Sequence, residues 1–181
     1  SDSLLFNKKI KDAIDLASSG KLVTFGIIPR DPNTGYGYIE RGSAIGNGFS
    51  VNSFKEKPDY ENAKEYIESG NFYWNSGIFL FKKNTFLDEL KIHSPKIFKT
   101  CNKVHENRNI EHDFIWLDKK LFKECPTDSI DYAVMENTSN AAVIPVDLGW
   151  NDLGSWESVW ENSKKDKNKN HTKGDVIIQN T

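Results

Sequence analysis

Two short runs constrain this chain most. Leu22-Val23-Thr24-Phe25-Gly26-Ile27-Ile28 is apolar almost throughout and stops at Pro29. Ala141-Ala142-Val143-Ile144-Pro145-Val146 repeats that character far along the chain. Runs of this length without polar alternation are the pattern of strands buried on both faces. Residues 3–18 carry Leu5, Phe6, Ile10, Ala13, Ile14 and Ala17 at helical spacing, and Gly20 ends them. A helix feeding a buried strand implies an α/β layer.

Between the two runs the chain alternates punctuation and pattern. Arg30 to Gly37 holds Pro32, Asn33, Gly35 and Gly37 and is a loop. Tyr36-Gly37-Tyr38-Ile39-Glu40 resumes an extended pattern. Glycines flanking a tyrosine there mark either close approach to a ligand or a bulge or hairpin turn. Phe49 to Lys57 alternates as a strand, with Phe54 and Glu56 on one face and Lys55 and Lys57 on the other. Pro58 closes it, and Asp59 caps a helix over 60–69 that Gly70 ends. Glu56 and Lys57 place an acid and a base at a strand end, which suits a substrate with hydroxyls and a phosphate. From these residues alone a solvated strand end is the favoured reading.

Phe72-Tyr73-Trp74-Asn75-Ser76-Gly77-Ile78-Phe79-Leu80-Phe81 puts an Asn-Ser-Gly triplet inside an apolar strand. A buried amide needs partners, so Asn75 either sits at a bulge against backbone or reads a substrate hydroxyl. Asn84 and Ser94-Pro95 are helix-start signals, and helices are expected over 85–92, 95–105 and 111–123. Ser129 caps a short helix whose first turn holds Asp131, a position the helix dipole favours for a carboxylate. After the second buried run comes Gly149-Trp150-Asn151-Asp152-Leu153-Gly154-Ser155-Trp156. Asp152 there is either a Mg²⁺ ligand, since that ion takes one or two carboxylates and fills its shell with water and phosphate, or part of an Asx turn preceding a helix over 156–163 capped by Ser155. Residues 164–173 read as a linker, and 174–181 as a strand and turn.

Composition removes some classes. A net charge of −2 argues against a general nucleic-acid binder, and no apolar run approaches the roughly 20 residues of a membrane span. Cys101 and Cys125 are the only cysteines and form neither a metal spacing nor a disulfide framework, so a reducing cytoplasm is expected. His93, His105 and His112 have no ligand-like spacing.

Taken together, Thr24-Phe25-Gly26-Ile27, Thr34-Gly35-Tyr36-Gly37-Tyr38-Ile39, Phe54-Lys55-Glu56-Lys57-Pro58, Trp74-Asn75-Ser76-Gly77-Ile78-Phe79, Ser129 to Glu136 and Gly149 to Trp156 resemble bacterial mannose-1-phosphate guanylyltransferases of the sugar nucleotidyltransferase superfamily, in family order. The resemblance implies an α/β, Rossmann-like (GT-A-like) domain, a mixed sheet with flanking helices, truncated at its N-terminus. Residues 1–163 would form the sugar-phosphate half of that domain. Residues 164–181 would be a linker and the first strand of a further C-terminal region. The implied reaction joins α-D-mannose 1-phosphate and GTP. By analogy Glu56 and Asn75 bind sugar hydroxyls, Lys57 pairs with the sugar phosphate, Tyr36 and Gly37 line the pocket, Asp131 lies near the sugar, and Asp152 binds Mg²⁺. Lys57 and Asp152 are then the catalytic positions. The family's Gly-rich nucleotide loop and second metal-binding Asp have no match in these residues, so the segment is expected to be inactive alone. A homodimer is expected of the full-length protein. The alternatives are a non-catalytic sugar-phosphate-binding module and a nucleotidyltransferase for another sugar 1-phosphate.

Overall fold

The computed structural model describes residues 3–147, 149–154 and 156–179. They fall into two compact units, Ser1–Leu148 and Gly149–Thr181.

The first unit opens with helix α1, Ser3–Ser18. Its inward residues Ala13, Leu16 and Ala17 are buried, and the Lys21 and Gly20 N–H groups close it on the Leu16 and Ala17 carbonyls. Strand β1, Leu22–Ile27, follows and is buried at every position. It runs parallel to β7, Ala141–Val146. The two apolar runs are therefore neighbours, and nearly all of their residues are buried.

The remaining strands are antiparallel. Strands β2, Tyr38–Ile45, and β3, Gly48–Lys55, form a hairpin. Strand β4, Phe72–Leu80, pairs with both β1 and the start of β2. Strand β3 meets β7 through Phe49 and Ser50, so the five strands close in the order β1-β4-β2-β3-β7. Gly26 lies where β1 is squeezed between its neighbours: a Cβ there would stand 2.7 Å from both Tyr73 Cβ and Val143 Cγ2.

Helix α2, Tyr60–Ser69, joins β3 to β4. Asp59 caps it by accepting the Asn62 N–H, and Gly70 ends it in the left-handed region, both as the sequence predicts. Helices α3, Lys83–His93, and α4, Pro95–Glu106, pack on one another and supply Leu90, Ile97 and Phe98 to the core around Leu22, Ile39, Phe54 and Val143. Lys82, not Asn84, holds the N-cap position of α3, and no side chain bonds there.

The helix expected over 111–123 is absent. Its place is taken by a two-stranded ribbon, β5 (Asn109–Glu111) and β6 (Phe114–Trp116), and a short helix α5 (Lys119–Lys123). Phe114-Ile115-Trp116 is a β-branched and aromatic cluster that prefers extended backbone. His112 turns at φ +52° between the strands, and Asp118 starts α5 by accepting the Lys120 and Leu121 N–H groups. Asp131–Met135 is a one-turn π-helix, with Ala133, Val134 and Met135 buried.

The second unit contains α6, Trp156–Glu161. The expected cap Ser155 lies outside the described residues. The stretch read as a linker is organised by Asp166, which accepts the Asn168 and Asn170 N–H groups, and by Lys165 over the Trp160 ring. Residues 174–179 form no strand.

Candidate functional site

The site is built where β3 ends, β4 bulges and the π-helix begins. β3 stops at Lys55, so Glu56 and Lys57 lie beyond it. Continued extended backbone would send these neighbouring side chains to opposite sides, as the alternation predicts. Instead Lys57 takes φ +49°, a left-handed conformation uncommon outside glycine. That turn brings Lys57 Nζ to 3.1 Å from Glu56 Oε1. The Glu56 carboxylate raises the Lys57 ammonium above its ordinary range, first through their hydrogen bond and then through charge, with smaller help from Tyr132 and Asp131. The Glu56 side chain is only 11% exposed and that of Lys57 60%. The acid is therefore set into the wall while the cation faces outward.

Three bonds hold this turn. The Glu56 N–H donates to Glu136 Oε1 at 2.9 Å, tying the end of β3 to the end of the π-helix. The Lys57 N–H donates to the Tyr36 carbonyl at 3.3 Å, and the Asn75 N–H to the Gly37 carbonyl at 2.7 Å. The Gly37 carbonyl is thus taken up by the protein itself. Gly37 also has no room for a side chain, because a Cβ would stand 2.5 Å from Glu56 Oε2 and 3.3 Å from Asn75 Cβ. Tyr36 lies edge-on to Trp74, ring centres 4.9 Å apart.

Asn75 has a more specific answer than either sequence reading. The ladder between β1 and β4 does slip here: Thr24 faces Phe79 and Gly26 faces Asn75. At that slip the Asn75 amide takes a backbone partner, as one of the two readings expects, and two side-chain partners besides. Its Oδ1 accepts from Thr24 Oγ1 at 3.0 Å and from the Gly77 N–H at 3.2 Å. Its Nδ2 donates to Asp131 Oδ1 at 3.1 Å. Asp131 opens the π-helix, whose N-cap position is held by Ile130 without a side-chain cap rather than by the expected Ser129; the Ser129 hydroxyl still accepts the Tyr132 N–H at 3.4 Å. π-turns recur at functional sites. Glu56, Lys57, Asn75 and Asp131 are thus joined around the Gly37 notch by short contacts.

Asp152 belongs to the second unit, and its surroundings are local. It is exposed, and its Oδ1 accepts the Gly154 N–H at 3.1 Å, an Asx turn. Among the described residues, no group of three or more His, Cys, Asp or Glu side chains could hold a metal ion, and no helix is long and apolar enough to cross a membrane.

Sequence reading passed over Thr24 and Glu136. Thr24 left a signal, as the one polar side chain in an apolar run. Glu136 left none, because its carboxylate meets Glu56 across 80 residues of chain.

A family model described as nucleotidyl transferase matches residues 2–169. The chain belongs to the nucleotidyl transferase family. Two relatives of this nucleotidyl transferase are curated as mannose-1-phosphate guanylyltransferases. RfbM of Salmonella typhimurium is 52% identical over 177 residues, covering 97% of this chain and 37% of the relative. The protein of Salmonella muenchen is 51% identical over 181 residues, covering 99% and 38%. The chain therefore spans well under half the length of these relatives. A crystal structure of mannose-6-phosphate isomerase from Helicobacter pylori matches with a TM-score of 0.75 at 38% identity, over 81% of this chain and 58% of that one. The mixed α/β fold expected from the sequence is the nucleotidyl transferase fold.

Proposed function

We propose that this segment forms the sugar-phosphate half of a mannose-1-phosphate guanylyltransferase, which transfers GMP from GTP to α-D-mannose 1-phosphate and releases pyrophosphate. One observation carries the reading: a recessed carboxylate, an outward ammonium and a fixed amide–carboxylate pair converge on a notch that admits no Cβ. Carboxylates and amides suit vicinal hydroxyls, and an ammonium beside them suits a phosphate on the same small molecule. The names of the relatives supply the choice of mannose and GTP.

The chemistry asks for little beyond positioning. An oxygen of the sugar phosphate attacks the α-phosphorus of GTP. The bond to the bridging oxygen breaks, and pyrophosphate leaves with the electron pair. The nucleophile is already an anion, so no protein base is required. Lys57 offsets the repulsion between the two anionic reactants, while Glu56, Asn75 and Asp131 hold the sugar so that the attack is in line. Glu56 acts as an acceptor of hydroxyl hydrogens.

Mg²⁺ fits the donors of the second unit by chemistry. Asp152 offers a hard carboxylate, and the adjacent Asn151 Oδ1 is buried with no hydrogen-bond partner among the described residues. Asp152 would hold the ion, which supplies charge neutralisation for the triphosphate.

The test is GDP-mannose formation by the full-length protein from GTP and a panel of sugar 1-phosphates. Turnover with mannose 1-phosphate that falls on Lys57→Ala through a raised KM for the sugar supports the reading. Preference for another sugar, or indifference to Lys57→Ala, would overturn it.

A further inference from the structure

We infer that Thr24 is a positioning residue that ties Asn75 to the bulge of β4 and so holds its amide in place to present a donor to the sugar. This rests on the proposed function of the site.

The bulge supplies the first part. Between the pairs Thr24–Phe79 and Gly26–Asn75, one residue of β1, Phe25, stands against three of β4, Ser76, Gly77 and Ile78. Gly77 accommodates the excess at φ +70°. The backbone ladder is interrupted over this interval. The Thr24 side chain works across the gap. It is fully buried, and its hydroxyl lies 3.0 Å from Asn75 Oδ1 and 3.2 Å from the Ile78 carbonyl. Both are acceptors and a hydroxyl has one hydrogen, so Thr24 is a shared donor to the two ends of the bulge.

Polarity follows from Gly77 and Asp131, since the Thr24 hydroxyl can accept as well as donate. With Oδ1 toward Thr24 and Gly77 and Nδ2 toward Asp131, each contact pairs a donor with an acceptor. Rotating the amide by half a turn sets its NH₂ against the Gly77 N–H and its carbonyl against the Asp131 carboxylate, two like-against-like contacts. The observed orientation leaves Asn75 with one further N–H and Asp131 with its second carboxylate oxygen. A hydroxyl placed there accepts from Asn75 and donates to Asp131, so the pair reads one hydroxyl in both senses. An aliphatic residue at position 24 would leave the Ile78 carbonyl without that hydroxyl and loosen the bulge that carries Asn75.

The experiment uses the full-length protein and Thr24→Val, which keeps the shape and removes the hydroxyl. The KM for mannose 1-phosphate should rise about tenfold, as loss of one ordering hydrogen bond implies. The kcat and the KM for GTP should stay within about twofold. Thr24→Ser should restore the sugar KM. If Thr24→Val yields no folded protein, Thr24→Ala takes its place with the same split expected. A sugar KM unchanged in folded variants, or Thr24→Ser behaving like Thr24→Val, would overturn the assignment. A wild-type protein that makes no GDP-mannose refutes the functional reading instead. The positioning claim is then judged by NMR of the Asn75 side-chain amide, whose two Nδ2 protons should move toward one another in Thr24→Val; unmoved signals would sink it.

Discussion

Gly37→Ala is the sharpest perturbation of the site, because it adds one methyl at a place where the consequences can be followed atom by atom. The new Cβ would stand 2.5 Å from Glu56 Oε2, against about 3.4 Å for an ordinary contact, so the carboxylate must retreat by about 0.9 Å. The Glu56 side chain is nearly enclosed and bonded to Lys57, so the retreat drags the ammonium with it. Nothing in the backbone forbids alanine, since Gly37 is not in the left-handed region. The cost therefore falls on the site and hardly on the fold. Misplacing a reacting or binding group by about 1 Å can cost on the order of 100-fold, and partial give in the Glu56 side chain brings the expectation to about 10- to 100-fold in kcat/KM for the sugar phosphate. The thermal midpoint should move by no more than the few degrees that about 1 kcal/mol represents. The assay is steady-state GDP-mannose synthesis by the full-length protein, with a melting curve alongside. Unchanged kcat/KM in a folded Gly37→Ala protein would refute the claim that Glu56 binds the sugar where it stands. Equal losses for sugar phosphate and GTP would refute it as well.

Other expectations follow from the same geometry. Glu136→Ala removes the acceptor of the Glu56 N–H and should lower stability by about 1–3 kcal/mol while raising the sugar-phosphate KM, both read from denaturant melts and kinetics; an effect on neither would contradict the tie between β3 and the π-helix. Lys57 has its folded value raised above 10.5 by Glu56. The stabilisation from that pairing is complete below 10.5 and is lost as pH rises through the folded value, so Lys57 stays charged near neutrality. The KM penalty of Lys57→Ala should accordingly be flat between about pH 6 and 9; a penalty that vanishes within that range would show a different charge at work. Asp152→Asn should shift the Mg²⁺ titration of activity to higher concentration, and an unshifted titration would remove Asp152 from metal binding.

The parts of this chain legible in sequence are those where one physical rule dominates. Leu22–Ile27 and Ala141–Val146 pair in parallel and are buried at all positions but Pro145, which an apolar run without alternation announces. α2 is bounded by its own cap residues, Asp59 and Gly70. Glu56, Lys57, Asn75 and Asp131 are singled out by motif, and the structure pairs Glu56 with Lys57 and Asn75 with Asp131. Illegible were the features set by neighbours distant in sequence. Residues 111–123 carry apolar residues that fit a helix, but Ile110, Phe114, Ile115 and Trp116 are exposed on a ribbon, so no buried face imposed the helical period. The left-handed turn at Lys57 defeats the alternation that assigned Glu56 and Lys57 to opposite faces. Its cause lies partly in Glu136, 80 residues away. The partner of Asn75 was likewise a buried hydroxyl 51 residues upstream.

The central claim is that Glu56, Lys57, Asn75 and Asp131 form one binding surface for a sugar phosphate. A crystal structure of the full-length protein with α-D-mannose 1-phosphate tests it most directly. Sugar hydroxyls are expected on Glu56 and on the Asn75–Asp131 pair, with the phosphate at Lys57 Nζ. A ligand bound elsewhere, or reversed so that its phosphate sits at Asn75, would contradict it.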